Sequence, residues 1–190
     1  MKVEFKDITY LKVKTIELVR KWRNSDSIRK YMCEDHIISK REHRTWLRGI
    51  KRKNTVKFWV IYLNNLPVGS VYLGKIDYKN KTADWGFYIA DESLRGKGIG
   101  SLALFWLMWH TFDTMKFRKM YTTVLRNNPG ALRLYTKFGF VKEGVMKEQL
   151  FRDKKAIDLV LMGILRKKWI SKRHRIKTMV QNRFAGYRDE

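Results

Sequence analysis

The apolar positions of the chain change period along its length, and each change marks an element. VEFKDI near the start reads as a short strand, whereas TIELVRKWRNSDSIRKYM carries Ile16, Val19 and Trp22, then Ile28 and Met32, at helical spacing. Ser39 stands three residues before Glu42, the spacing of a capping box, and predicts a second helix through Leu47 to Ile50. VKFWVIYL, LPVGSVYLGKI and ADWGFYIA are rich in β-branched and aromatic residues and are separated by the turn signals NNLP and DYKNKT. They predict an antiparallel meander.

The second half alternates helix and strand. An apolar helix is expected over Ser101 to Met115, then the strand KMYTTVL, a turn RNNPG, the helix ALRLYTKF with Gly139 as its C-cap, and the strands FVKEGVMKEQLF and AIDLVLMGIL. This order predicts an α+β fold, a mixed sheet of about seven strands flanked by helices on both faces. The only prolines are Pro67 and Pro129, and no Gly/Ser-rich linker interrupts the chain, so residues 1–168 are expected as one domain and 169–190 as a basic extension. RKKWISKRHRIKTMVQNRFAGYRDE leaves three roles open for that extension: a helix packed on the domain, a helix lying on anionic lipid or RNA, or a solvated tail.

Composition adds the question of partners. With 44% apolar residues in 190, the chain has enough material for a sizeable core. Its 42 Lys and Arg against 18 Asp and Glu leave a formal charge of +24, which calls for a polyanionic neighbour: RNA or the ribosome, anionic lipid, or a phosphorylated substrate. Cys33 is the single cysteine and there are 4 His, so neither a disulfide framework nor a Cys/His metal cluster is expected. The charged start carries no signal peptide pattern, and SLALFWLMW is too short to span a bilayer, so a cytoplasmic location is expected.

LRGKGIG, Leu94 to Gly100, is the candidate for chemistry. A dinucleotide fingerprint would need glycine where Ser101 stands, and a nucleoside-triphosphate loop would need Lys where Leu102 stands, so the spacing supports neither. What remains is Arg95-x-x-Gly98-x-Gly100 between a strand and a helix. Glycines let the backbone approach, amides at a helix N-terminus face outward, and Arg95 and Lys97 add charge suited to a diphosphate.

RGKGIG followed by NNPGALRLYTKFGFVKEG resembles the paired signature of the GNAT N-acetyltransferases. That resemblance implies a splayed sheet and acetyl-CoA as cosubstrate, and the lack of a Cys/His cluster predicts no metal. It implies that the backbone of Phe87, Tyr88 and Ile89 meets the pantetheine, that Arg95, Gly96, Lys97, Gly98, Ile99 and Gly100 surround the diphosphate, and that Asn128 or its neighbour Asn127 contacts the cofactor arm. Tyr135 matches the tyrosine that protonates the departing thiolate. A phenol suits that task because it is still protonated at neutral pH.

The base that takes the amine proton is less defined. Asp84 shares a strand face with Gly86 and Tyr88 and stands where related enzymes carry Glu, while His36 and Glu143 are alternatives. W-R-N-S-D, I-R-K-Y-M and D-H-I-I-S-x-x-x-H are similar to the N-terminal part of the UDP-4-amino-4,6-dideoxy-N-acetyl-β-L-altrosamine N-acetyltransferases. This implies a nucleotide-linked amino sugar as acceptor, with Arg23, Asn24, Met32 and Cys33 lining its site. Two other readings stay open: an enzyme acting on ribosomal-protein N-termini, and a basic nucleic-acid-binding module without catalysis. A second copy of the chain is a further expected partner.

Overall fold

The computed structural model describes residues 2–182. Its strands are β1 (Val3–Asp7), β2 (Lys57–Leu63), β3 (Leu66–Asp77), β4 (Thr82–Ile89), β5 (Lys119–Leu125), β6 (Val141–Arg152) and β7 (Lys155–Leu165). They form one sheet in the order β1-β2-β3-β4-β5-β7-β6, antiparallel throughout except for β4 against β5. The expected α+β architecture is therefore the observed one.

The helices are α1 (Val13–Asn24), α2 (Asp26–Arg29), α3 (Lys40–Arg52), α4 (Ile99–Trp109), α5 (Pro129–Phe138) and α6 (Arg166–Gln181). The periodic stretch expected to run as one helix to Met32 is broken at Ser25, which is extended (φ −69°, ψ 143°) and whose hydroxyl donates to the Trp22 carbonyl at 2.7 Å. Serine can offer the backbone such a local bond in place of the helical one. Met32 consequently falls in the irregular segment 30–38, between α2 and α3.

Helix α3 opens with both halves of the capping box: the Glu42 amide donates to Ser39 Oγ at 3.2 Å, and the Ser39 amide donates to Glu42 Oε2 at 2.7 Å. Helix α4 begins at Ile99, earlier than expected, because Gly98 at φ 93° turns the chain directly into it. The apolar stretch does not stay α-helical to Met115: residues 110–114 form one wider turn in which the Met115 amide reaches the His110 carbonyl at 2.9 Å. Pro129 starts α5, where its missing N–H costs nothing.

Two apolar layers hold the sheet. On one face α4, α5 and α6 cover residues including Trp85, Leu73, Met120 and Ile164; on the other, α1 and α3 cover Phe58 and Val60 around Ile8 and Val19. The expected boundary at 168/169 falls inside α6. Trp169, Ile176 and Val180 are at most 4% exposed and belong to the main core. Asp113 docks the helix by accepting from the Trp169 indole and pairing with Arg173 at 2.9 Å. Trp169, Ile176, Met179 and Val180 thus face inward while Ile170 is exposed, and residues 183–190 of the extension lie outside the described residues.

Candidate active site

The site begins where the one parallel pair fails. β4 and β5 are in register only at Thr82–Lys119, Ala83–Met120 and Asp84–Tyr121. Beyond that the Thr122 hydroxyl donates to the Trp85 carbonyl at 2.9 Å, and then the strands separate. The edge of β4 from Phe87 to Ile89 has no partner strand on this side, so backbone polar groups line a cleft in the middle of the sheet.

Strand alternation gives the two walls different chemistry. Trp85 and Phe87 point toward α5, where the Tyr135 ring meets them edge-on at 4.7 and 6.4 Å between centroids. Asp84, Gly86 and Tyr88 point to the opposite face. There the Tyr72 ring fills the space a side chain at 86 would need, with Cε1 only 2.5 Å from a Cβ built on Gly86, and Tyr88 meets Trp22 edge-on at 6.5 Å. Asp84 and Tyr135 therefore approach the β4 edge from opposite sides of the sheet.

Electrostatics couples them. Burial, followed by the Asp84 charge, pushes the Tyr135 and Tyr72 hydroxyls well above the usual phenol range, and the same two causes raise Tyr121. Tyr135 is 8% exposed, and its hydroxyl makes no hydrogen bond among the described residues. Burial raises the Asp84 carboxyl, while the Trp85 amide, donating to its Oδ1 at 2.8 Å, opposes the shift. Burial also pushes Tyr88 up to about 12.

The glycine loop closes one end of the cleft. Gly96 (φ 75°) and Gly98 (φ 93°) take left-handed conformations that side chains resist. At the start of α4 the Ser101 and Leu102 amides return to the Gly98 carbonyl, which leaves those of Ile99 and Gly100 without a backbone acceptor among the described residues. A Cβ on Gly100 would lie 3.1 Å from the Phe87 ring, so this glycine lets the helix start approach β4. Ile99 contributes only its amide, since its side chain is 2% exposed in the core.

Arg95 is placed differently from a free phosphate-binding cation. Its Nε and Nη2 both donate to the Ile89 carbonyl at 3.3 Å, Nη2 reaches Ser27 Oγ at 3.2 Å, and Nη1 lies 3.5 Å from Glu92. Lys97 is exposed at the loop tip. Asn128 Oδ1 caps α5 by accepting from the Ala131 amide at 3.1 Å, and Asn127 beside it is exposed.

The segment 30–38 crosses the other end, held by guanidinium groups. Arg20 donates to the Ile38 carbonyl at 2.9 Å, Arg23 to that of Glu34, and Arg29 to that of Asp35 at 3.1 Å. Arg152, from the far end of β6, donates to the carbonyls of Lys30, Met32 and Cys33 at 3.2, 2.8 and 3.1 Å and pairs with Asp35 at 2.8 Å. Cys33 Sγ lies 3.9 Å from Thr123 Oγ1, which brings the segment against the diverging half of β5. Cys33 therefore stands beside the diverging half of β5, and Met32 precedes it with its carbonyl bound to Arg152.

Asn24 is occupied differently. Both ends of its side-chain amide bond the Ile38 backbone at 2.9 Å, so it braces the segment. Arg23 remains available: its Nη1 is sealed from solvent without a partner, and burial lowers its pKa. Of the alternative bases, His36 lies with Nε2 3.2 Å from Glu42, and Glu143 pairs with Lys119 at 2.7 Å. Sequence reasoning missed Tyr72 and Arg152. Strand alternation could have put Tyr72 on a face, but no local pattern links Arg152 to a segment about 120 residues earlier.

Comparisons with known proteins agree with this architecture. Residues 17–140 match the family described as Acetyltransferase (GNAT). Acetyltransferase PseH of Campylobacter jejuni is 26% identical over 133 residues, 70% of this chain and 81% of that protein. Spermidine N(1)-acetyltransferase of Vibrio cholerae is 31% identical over 105 residues, 55% of this chain and 60% of that one. The crystal structure of a Vibrio cholerae spermidine N-acetyltransferase in complex with CoA and spermine superposes with a TM-score of 0.81 at 24% identity, covering 88% of this chain and 98% of that one. With the family matched over more than half its length and the splayed strands and glycine loop in place, the chain belongs to the acetyltransferase (GNAT) family and is an acyltransferase.

Proposed function

We propose that this acyltransferase moves the acetyl group of acetyl-CoA to a primary amine on an anionic small molecule, with a nucleotide-linked amino sugar as the acceptor class. The observation that carries the acceptor is Arg23, whose guanidinium lies beneath segment 30–38 with Nη1 sealed and unpartnered. A buried guanidinium nitrogen without a partner is costly, and an anionic group of the acceptor would relieve it. Arg29 and Arg152 are paired with Asp26 at 2.6 Å and with Asp35 at 2.8 Å, so the argument rests on Arg23, a cation that disfavours a polyamine and suits an anionic group. The likeness to PseH supports the same choice, and that to spermidine acetyltransferases makes polyamines the competitor to test.

The donor side fits a diphosphate. The unengaged amides of Ile99 and Gly100 at the positive end of α4 suit an anion, with Gly96 and Gly98 shaping the approach and Lys97 adding charge. Arg95 serves by fixing the loop to the Ile89 carbonyl. The open β4 edge over Phe87, Tyr88 and Ile89 offers backbone groups to the pantetheine, apart from the Ile89 carbonyl that Arg95 holds, and Asn127 and Asn128 are assigned to the arm. Bound acetyl-CoA supplies the activated acyl group; the protein supplies position and proton transfer.

Tyr135, kept protonated by burial, donates to the thiolate as it leaves. Asp84, made more basic by burial, takes the amine proton from the opposite side of the sheet. Placing donor and acceptor groups on either side of one strand edge lets both substrates meet in the cleft. The test is thiol release from acetyl-CoA with a UDP-linked 4-amino sugar, spermidine and ribosomal N-terminal peptides as acceptors. The sugar is expected to give the highest kcat/KM, and a higher value for spermidine or a peptide overturns the acceptor assignment.

A further inference from the structure

We propose that the outer face of α3 is a docking surface for the phosphate backbone of a nucleic acid. With 3.6 residues per turn, Arg41, Arg44, Arg48, Lys51 and Arg52 fall within roughly 100° of arc on α3. That arc lies opposite His43, Trp46 and Ile50, which form the buried side against Phe58 and its neighbours. All five cations are exposed.

None of the five is neutralised. Among the described residues no carboxylate pairs with any of them; Arg48 Nη2 reaches only Thr45 Oγ1 at 3.3 Å. Glu42, the sole acid of α3, sits off this arc and is taken by Ser39 and by His36 at 3.2 Å. Like charges three and four residues apart weaken a helix, and this row contains several such pairs. An external polyanion would relieve that repulsion.

The geometry selects the anion. From Arg41 to Arg52 the axis rises about 16 Å, and a duplex carries one charge per roughly 1.7 Å of axis, so a straight rigid row meets several phosphates at once. Arg41, Arg44 and Arg48 surround a shallow depression floored by the partly buried Leu47. No large apolar side chain of α3 is exposed, so the face lacks the residues that a lipid-bound helix inserts among acyl chains. The inference does not depend on the acetyl-transfer reading, because α3 presents this face away from the sheet and its cleft.

The test compares Arg41→Gln/Arg44→Gln/Arg48→Gln with a control that removes as much charge elsewhere, Lys142→Gln/Lys154→Gln/Lys155→Gln. Binding of fluorescein-labelled 20-base-pair RNA and DNA duplexes of one sequence is followed by anisotropy against salt. Thermal midpoints confirm that both variants fold. The α3 variant is expected to lose about 2 to 3 from the slope of log K against log salt, and the control markedly less. Preference for either duplex supports the proposal and identifies the source of the backbone. Equal losses in the two variants would mean a diffuse field with no site, and binding to phosphatidylserine vesicles but to neither duplex would mean a lipid surface; either result overturns it.

Discussion

The Thr122 hydroxyl donates to the Trp85 carbonyl at 2.9 Å and is the last link between β4 and β5 before the cleft opens. Thr122→Val keeps the shape and leaves that carbonyl buried without a partner. The expected loss is about 1–3 kcal/mol in urea denaturation. A change well below that range would mean that water or backbone movement replaces the bond.

Gly98 is the turn into α4 at φ 93°, a conformation that a β-branched residue adopts only with strain. In Gly98→Val the loop amides should leave their positions while the sheet stays intact. The thermal stabilisation that acetyl-CoA gives to the wild type is therefore expected to vanish. A preserved ligand-induced shift would separate the loop from cofactor binding.

Tyr135→Phe removes one oxygen from a ring otherwise packed on Trp85 and Phe140. Acetyl-CoA affinity should be unchanged, and kcat should fall by roughly 10²-fold or more, the scale of general acid catalysis. Unaltered turnover would return Tyr135 to a purely structural role.

Asp84, the proposed base, also makes stability depend on pH. Its carboxyl titrates higher in the folded chain than its ordinary value of 3.8, because burial disfavours the charge. The folded state therefore holds the proton more tightly, and the stabilisation this brings is full below the unfolded value and lost as pH rises through the folded one. At neutral pH Asp84→Asn should be more stable than wild type, with the gap closing in acid, and turnover should fall. Urea midpoints measured across pH decide the first point; a variant less stable at neutral pH would contradict it.

Arg152 joins the β6–β7 hairpin to segment 30–35 through three carbonyls and Asp35, and on the proposed function it positions that segment for the acceptor. Arg152→Lys keeps the charge but cannot hold that fork of contacts. Acceptor KM is expected to rise about tenfold or more, the effect of losing at least 1.4 kcal/mol of binding, with acetyl-CoA affinity unchanged. Equal effects on both substrates would show general loosening.

Local rules decided much of this protein before any long-range contact was known. The period of apolar residues determined the strands of the meander, Ser39 and Glu42 determined the start of α3, and the glycines at 96 and 98 determined a loop that side chains would forbid. These features depend on neighbours within a few residues, so the sequence alone carries them. The separation of β4 from β5, the placing of Asp84 and Tyr135 on opposite sides of one strand, and the reach of Arg152 to residues 30–35 join segments tens of residues or more apart. So does the burial of Trp169, which makes α6 part of the core although its composition is that of a solvated tail. Composition is blind to which face of a helix meets a partner, and only the tertiary packing, by giving Asp113 and the α4 surface to α6, settled it.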